Sequence, residues 1–96
     1  MSSPLTPAQQ KITKTVDSLK GFLLEKNRRY GNSALSPLGV FNKKDATEGI
    51  LIRLDDKLMR IKNSDVLRKN DIADVMGYLT LLCVEKGWTN FDDLID

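Results

Sequence analysis

EGILIRLDDKLMRI, residues 48–61, and DIADVMGYLTLL, residues 71–82, decide how this chain folds. In the first, Ile50, Leu54, Leu58 and Ile61 recur at steps of three and four, the spacing of one helix face. The second carries apolar residues round most of its circumference, as a helix buried on several sides does. Acids interrupt both. Winding at about 100° per residue sets Glu48 and Asp55, seven positions apart, nearly in line, beside a second apolar strip of Ile52 and Met59. It also sets Asp71, Asp74 and Tyr78 on one stripe of the second helix. A carboxylate forced into an apolar interior is costly unless a cation or a metal ion compensates it.

Upstream, Thr6-Pro7-Ala8-Gln9 reads as a helix start: Thr6 at the N-cap, Pro7 at the first helical position and Gln9 at capping-box spacing. Ile12, Val16, Leu19 and Leu23 continue it as one amphipathic helix, with Phe22 beside the stripe, to about Arg29. Lys26, Arg28 and Arg29 suit the negative end of its dipole, and Gly31 stops it. Residues 30–44 hold Ser36-Pro37 and Gly39 among apolar residues and read as a packed loop. Asp45 is the expected N-cap of the next helix, with Glu48 as its capping-box partner. That helix runs to about Lys62. A short polar connection follows, and Ser64 or Asn70 is the expected cap of a helix that ends at Gly87. Trp88 and Phe91 with Leu94 and Ile95 predict a short closing helix capped by Thr89 or Asn90. The expected fold is all-α: residues 1–5 a flexible tail, and residues 6–96 a single domain, a compact bundle of about four helices completed by oligomerisation.

Composition removes several classes of chemistry. The sequence has no histidine and one cysteine, so Cys/His zinc sites, His-dependent triads and an internal disulfide are all excluded. Fifteen Lys and Arg are interspersed with thirteen Asp and Glu. No dense basic stripe marks a nucleic-acid partner. No run reaches the ~18 apolar residues of a membrane span and no secretory signal opens the chain, so the expected setting is the cytoplasm, away from membranes.

What remains is oxygen chemistry. Magnesium takes oxygen ligands, keeps several waters and accepts a few carboxylates. Glu48, Asp55, Asp71 and Asp74 offer such ligands from two neighbouring helices, and a metal-bound water needs no imidazole base if a spare carboxylate takes its proton.

Asp71-Ile-Ala-Asp74-Val-Met-Gly-Tyr-Leu-Thr-Leu-Leu followed by Gly87 resembles the second motif of the all-α nucleoside triphosphate pyrophosphohydrolases, the MazG-like group. There an acid, two spacers and an aspartate open an apolar helix. Glu48 and Asp55, with Asp56 beside it, stand where the family's first motif of adjacent glutamates belongs, in a degenerate form. Lys26-Asn-Arg-Arg-Tyr30-Gly31, with Arg53-Leu-Asp-Asp-Lys57 and Arg60-Ile61, resembles the phage and bacterial branch associated with nucleotide modification. The resemblance covers roughly residues 20 to 95. It implies magnesium, or manganese in its place, held by Asp71, Asp74, Asp55 and Glu48. It also implies cleavage of a nucleoside or deoxynucleoside triphosphate to monophosphate and pyrophosphate, with Glu48 and Asp55 in the catalytic role, and assembly as a homodimer or homotetramer. Lys26, Arg29, Tyr30, Lys57 and Tyr78 are the corresponding substrate-binding candidates.

Each of these residues has a plainer reading. Asp71 is also a first-turn acid favoured by the helix dipole, and Glu48 a capping residue. Asp55 suits an ion pair with Lys62 or with an arginine of another helix, and Asp56 a solvated face between Arg53 and Arg60. Tyr30 and Trp88 serve as core anchors as readily as base-stacking groups. The same acids also fit a nucleotide-binding protein without catalysis, or a helical module whose carboxylates pair with Lys or Arg across an oligomer interface.

Overall fold

The computed structural model describes residues 4–30 and 46–95. The chain divides into two units, Met1–Gly31 and Asn32–Asp96. The described residues form α1 (Pro7–Tyr30), α2 (Ala46–Asn63), α3 (Lys69–Lys86) and a single 3-10 turn (Asp92–Leu94), with no strand among them. The all-α expectation stands. No described helix is long and apolar enough to cross a membrane. The expected loop over residues 30–44, the stop at Gly31 and the cap at Asp45 lie outside the described residues.

The first unit is α1. Its start is the reciprocal capping box that Thr6 and Gln9 predict. The Thr6 N–H donates to Gln9 Oε1 at 2.9 Å and the Gln9 N–H to Thr6 Oγ1 at 3.1 Å, which satisfies two donors that a helix start leaves unpaired. Near the other end Glu25 accepts from Arg28 Nε and Arg29 Nε, each at 2.9 Å, at the i,i+3 and i,i+4 spacings that place side chains side by side. Arg28, then Arg29, hold the Glu25 carboxyl below its ordinary range. The Lys26 ammonium lies 5.2 Å from the Phe22 ring centroid, one turn back. Along the apolar stripe Leu19 and Leu23 are half-buried, whereas Ile12 and Val16 are exposed.

The second unit is built on the pairing of α2 with α3. Residues 64–68 join them, a connection short enough to make the helices antiparallel neighbours. Its turn is held by Ser64, whose hydroxyl donates to the Val66 carbonyl at 2.7 Å and accepts from the Val66 N–H at 3.3 Å. The core is small. Ile50 is 0% and Leu54 6% exposed, Gly49 and Gly77 are buried, and Ile61 is half-buried. Leu58, expected in the same stripe, is 52% exposed. The reason is angular: Ile50, Leu54 and Ile61 share one narrow arc, and Leu58 falls off its edge by roughly a further 40° of helical winding.

α3 starts between its two candidate caps. Arg68 is the N-cap in extended geometry, and its carbonyl accepts from the Ile72 N–H at 3.3 Å with no side-chain cap. Asn70 therefore sits inside the first turn, and Ser64 serves the connection. The end of α3 is as expected. Gly87 adopts φ 75° in the left-handed region. Its N–H donates to the Val84 carbonyl at 3.1 Å, and the Trp88 N–H donates to the Cys83 carbonyl at 2.8 Å. This is the bonding pattern of a Schellman motif. A Cβ on Gly87 would meet nothing within 4 Å, so backbone strain alone disfavours other residues there. Gly87→Ala is expected to cost about 1 kcal/mol. A guanidinium melt monitored by circular dichroism checks this, and an unchanged midpoint would refute the strain argument.

The predicted closing helix is reduced to the 3-10 turn Asp92–Leu94. Asn90 does act as its turn former, its Oδ1 accepting from the Asp92 N–H at 2.7 Å. A segment this short closes too few backbone bonds to offset helix nucleation. The α-helices described thus number three, where four were expected.

Candidate functional site

Asp71 and Asp74 stand one turn apart at the start of α3. Asp71 is 2% exposed, the only fully buried charged residue among those described. Its place in the first turn sets a carboxylate near the positive end of the α3 dipole, a position that favours an acidic residue. Tyr78, half-buried, continues the stripe one turn beyond Asp74.

Asp74 meets a cation from the opposite helix. Lys57 Nζ lies 3.0 Å from Asp74 Oδ2, the two side chains 21% and 28% exposed. The winding of α2 explains the reach, because Lys57 falls beside the arc of Ile50, Leu54 and Ile61, about 20° from Ile50, and points its stem at α3. The sequence reading marked both residues but not their union. An antiparallel hairpin with a five-residue connection over 64–68 sets position 57 near position 74, so the register carried the missing signal.

Glu48 and Asp55 lie elsewhere. Both are exposed, on the side of α2 turned away from the Ile50 and Leu54 arc, as is Asp56. Among the described residues no group of three or more acids or cysteines is placed to hold a metal ion. One chain therefore joins Asp71, Asp74, Lys57 and Tyr78 along the hairpin and leaves Glu48 and Asp55 on a different face. Lys26 and Arg29 belong to α1, where they engage Phe22 and Glu25. Tyr30 is the last residue of α1, and its side chain lies outside the described residues.

The donor set is compatible with magnesium in a restricted form. That ion is commonly held by one or two carboxylates, with waters and substrate phosphates filling its shell. Asp71 and Asp74 match this number. Lys57 competes for Asp74, yet an ammonium beside the pair is also the kind of group a phosphate meets. Cys83 is free and half-buried on α3. Trp88 is exposed, and with Asn90, Phe91, Asp93 and Leu94 it lines a shallow depression of about 290 Å³, not a core anchor point.

Comparison with protein-family models, with curated proteins and with solved structures found no match to this chain.

Proposed function

We propose that the α2–α3 hairpin is the phosphate-handling element of a magnesium-dependent hydrolase that converts a nucleoside or deoxynucleoside triphosphate to monophosphate and pyrophosphate. In this reading Asp71 and Asp74 bind the metal, Lys57 faces the phosphates and Tyr78 lies beside them. When bound, magnesium neutralises phosphate charge and makes a coordinated water a better nucleophile. Glu48 and Asp55, the other two acids of the MazG-like resemblance, remain candidates for the catalytic role from the outer face of α2. Their exposure keeps them out of the metal shell that one chain supplies. The reading sets the protein among free nucleotides of the cytoplasm.

The observation that carries the proposal is the burial of Asp71 one turn from Asp74. Burying a carboxylate costs stability, and a metal-binding role is one return for that cost. Incubation with each common triphosphate and magnesium is expected to release pyrophosphate, and Asp71→Asn to abolish the release. Absence of pyrophosphate from every triphosphate at high protein concentration would overturn the catalytic reading.

The Lys57–Asp74 pair favours a second reading, in which the internal ammonium does what a metal would and the hairpin binds a nucleotide or a protein partner without turning it over. Melting curves separate the two. A metal that binds only the folded chain raises the midpoint, and an unchanged midpoint across millimolar magnesium supports the second reading.

A further inference from the structure

Past the Gly87 cap the chain carries four large apolar side chains in eight residues, each more than half exposed: Trp88 57%, Phe91 54%, Leu94 72% and Ile95 77%. Single exposed apolar residues are ordinary, whereas a contiguous group marks a binding surface. The grouping has a local cause. In a 3-10 turn, residues three apart eclipse one another. Phe91, the N-cap of Asp92–Leu94, therefore shares a side with Leu94, and Asp92 and Asp93 take the other two sides. Trp88, Phe91 and Leu94 line the depression of about 290 Å³, together with Asn90 and Asp93.

Size and charge select the occupant. The depression stands at the low end of small-molecule sites, which span roughly 300–1,000 Å³, and it is too shallow to enclose a nucleotide. It is also remote from the Asp71–Asp74 stripe. Trp88 follows Asp74 by fourteen residues, about 20 Å of helix axis. What fits is one or two anchoring side chains of a polypeptide laid across it. Residues 87–96 contain three aspartates and no lysine or arginine, in a chain of formal charge +2. That local negative charge repels phosphates, and hence nucleic acid and anionic lipid, and attracts lysine and arginine. An apolar patch bordered by acids is complementary to a helix whose apolar stripe is flanked by bases.

We propose that the segment Trp88–Leu94 is a docking surface for a basic amphipathic helix of a partner protein. The helix seats apolar side chains in the depression and pairs its Lys or Arg with Asp92 and Asp93. These residues lie outside the α2–α3 hairpin, so the inference stands apart from the hydrolase reading.

Trp88 is the sole tryptophan of the chain, and its fluorescence reports on this surface directly. Titrating the full chain with a synthetic leucine–lysine helical peptide is expected to shift Trp88 emission saturably to shorter wavelength. A leucine–glutamate peptide with the same apolar face is expected to leave it unchanged. Replacing both acids, Asp92→Asn with Asp93→Asn, should weaken binding about tenfold, the effect of losing two exposed ion pairs. Asn90 bonds the backbone N–H of residue 92, so this double variant keeps the turn, and an unchanged melt checks that it does. Phe91→Ala should abolish the shift. Equal shifts with both peptides, no shift with either, or a double variant that binds as tightly as the wild type each overturn the proposal. So does a shift given by phosphatidylglycerol vesicles or ATP in place of the lysine peptide. Emission already at short wavelength in the dilute chain overturns it too, since the chain then covers its own surface. Emission that shortens as the chain alone is concentrated assigns the surface to a second copy and likewise overturns it.

Discussion

Ile50→Ala is expected to lower the stability of the α2–α3 hairpin by about 3 kcal/mol, the middle of the range for a fully buried aliphatic truncated to alanine. Ile50 is wholly excluded from solvent, and Leu54 is the only other large apolar side chain of the hairpin that is fully buried. Truncation to alanine removes three carbon atoms from a site that water does not reach. The flanking buried positions Gly49 and Gly77 have no side chains to move at all. The vacated volume therefore persists, and its cost adds to the lost transfer free energy. Against a total stability of about 5–15 kcal/mol for a native domain, the substitution removes a large share. Leu58→Ala, eight residues along the same helix but half in water, should cost under about 1 kcal/mol. Urea denaturation of both variants makes the comparison. Equal losses would show that the hairpin core lies elsewhere on α2.

That pair of positions also shows how far the sequence could be read. Periodicity identified α2 and grouped Ile50, Leu54, Leu58 and Ile61, because steps of three and four are shared by every residue near one face. It could not fix where the centre of the buried arc falls, since that depends on which side α3 approaches. Local signals did better. The Thr6–Gln9 box and the Gly87 cap are set by residues that touch one another within a single turn, so the spacing alone specifies them. The start of α3 was less legible: no side chain caps it, and an extended Arg68 begins the helix by backbone geometry alone. The closing helix failed for want of length. As for the site, the stripe of Asp71, Asp74 and Tyr78 follows from winding, whereas the union of Asp74 with Lys57 is a contact between helices. Glu48 and Asp55 were correctly placed in line on α2, but being in line does not say which way a row faces.

Removing Lys57 separates what the hairpin needs for folding from what it offers a ligand. Lys57→Met keeps most of the stem that packs in the α2 arc and deletes the ammonium, so the change is chiefly electrostatic. Asp74, about a quarter exposed, then loses its partner at 3.0 Å. Exposed pairs contribute under about 1 kcal/mol, whereas breaking a buried one costs about 3–5 kcal/mol. For this partly covered pair a loss of about 2 kcal/mol is expected, between those limits. Asp74→Asn added to Lys57→Met removes the orphaned charge and should recover much of that loss, a coupling that a double-mutant cycle measures. Magnesium gives the cycle its functional meaning. If Asp71 and Asp74 bind the ion, deleting the competing ammonium strengthens the site while weakening the apo fold. Magnesium should then stabilise Lys57→Met by about 1.4 kcal/mol at a tenfold excess over that variant's dissociation constant, and the wild type by less. The double variant, lacking one ligand, should lose most of that response. If the ammonium is instead the permanent partner of Asp74, Lys57→Met is weakened and magnesium restores nothing. The ion pair is then a structural clasp, and the hydrolase reading loses its metal.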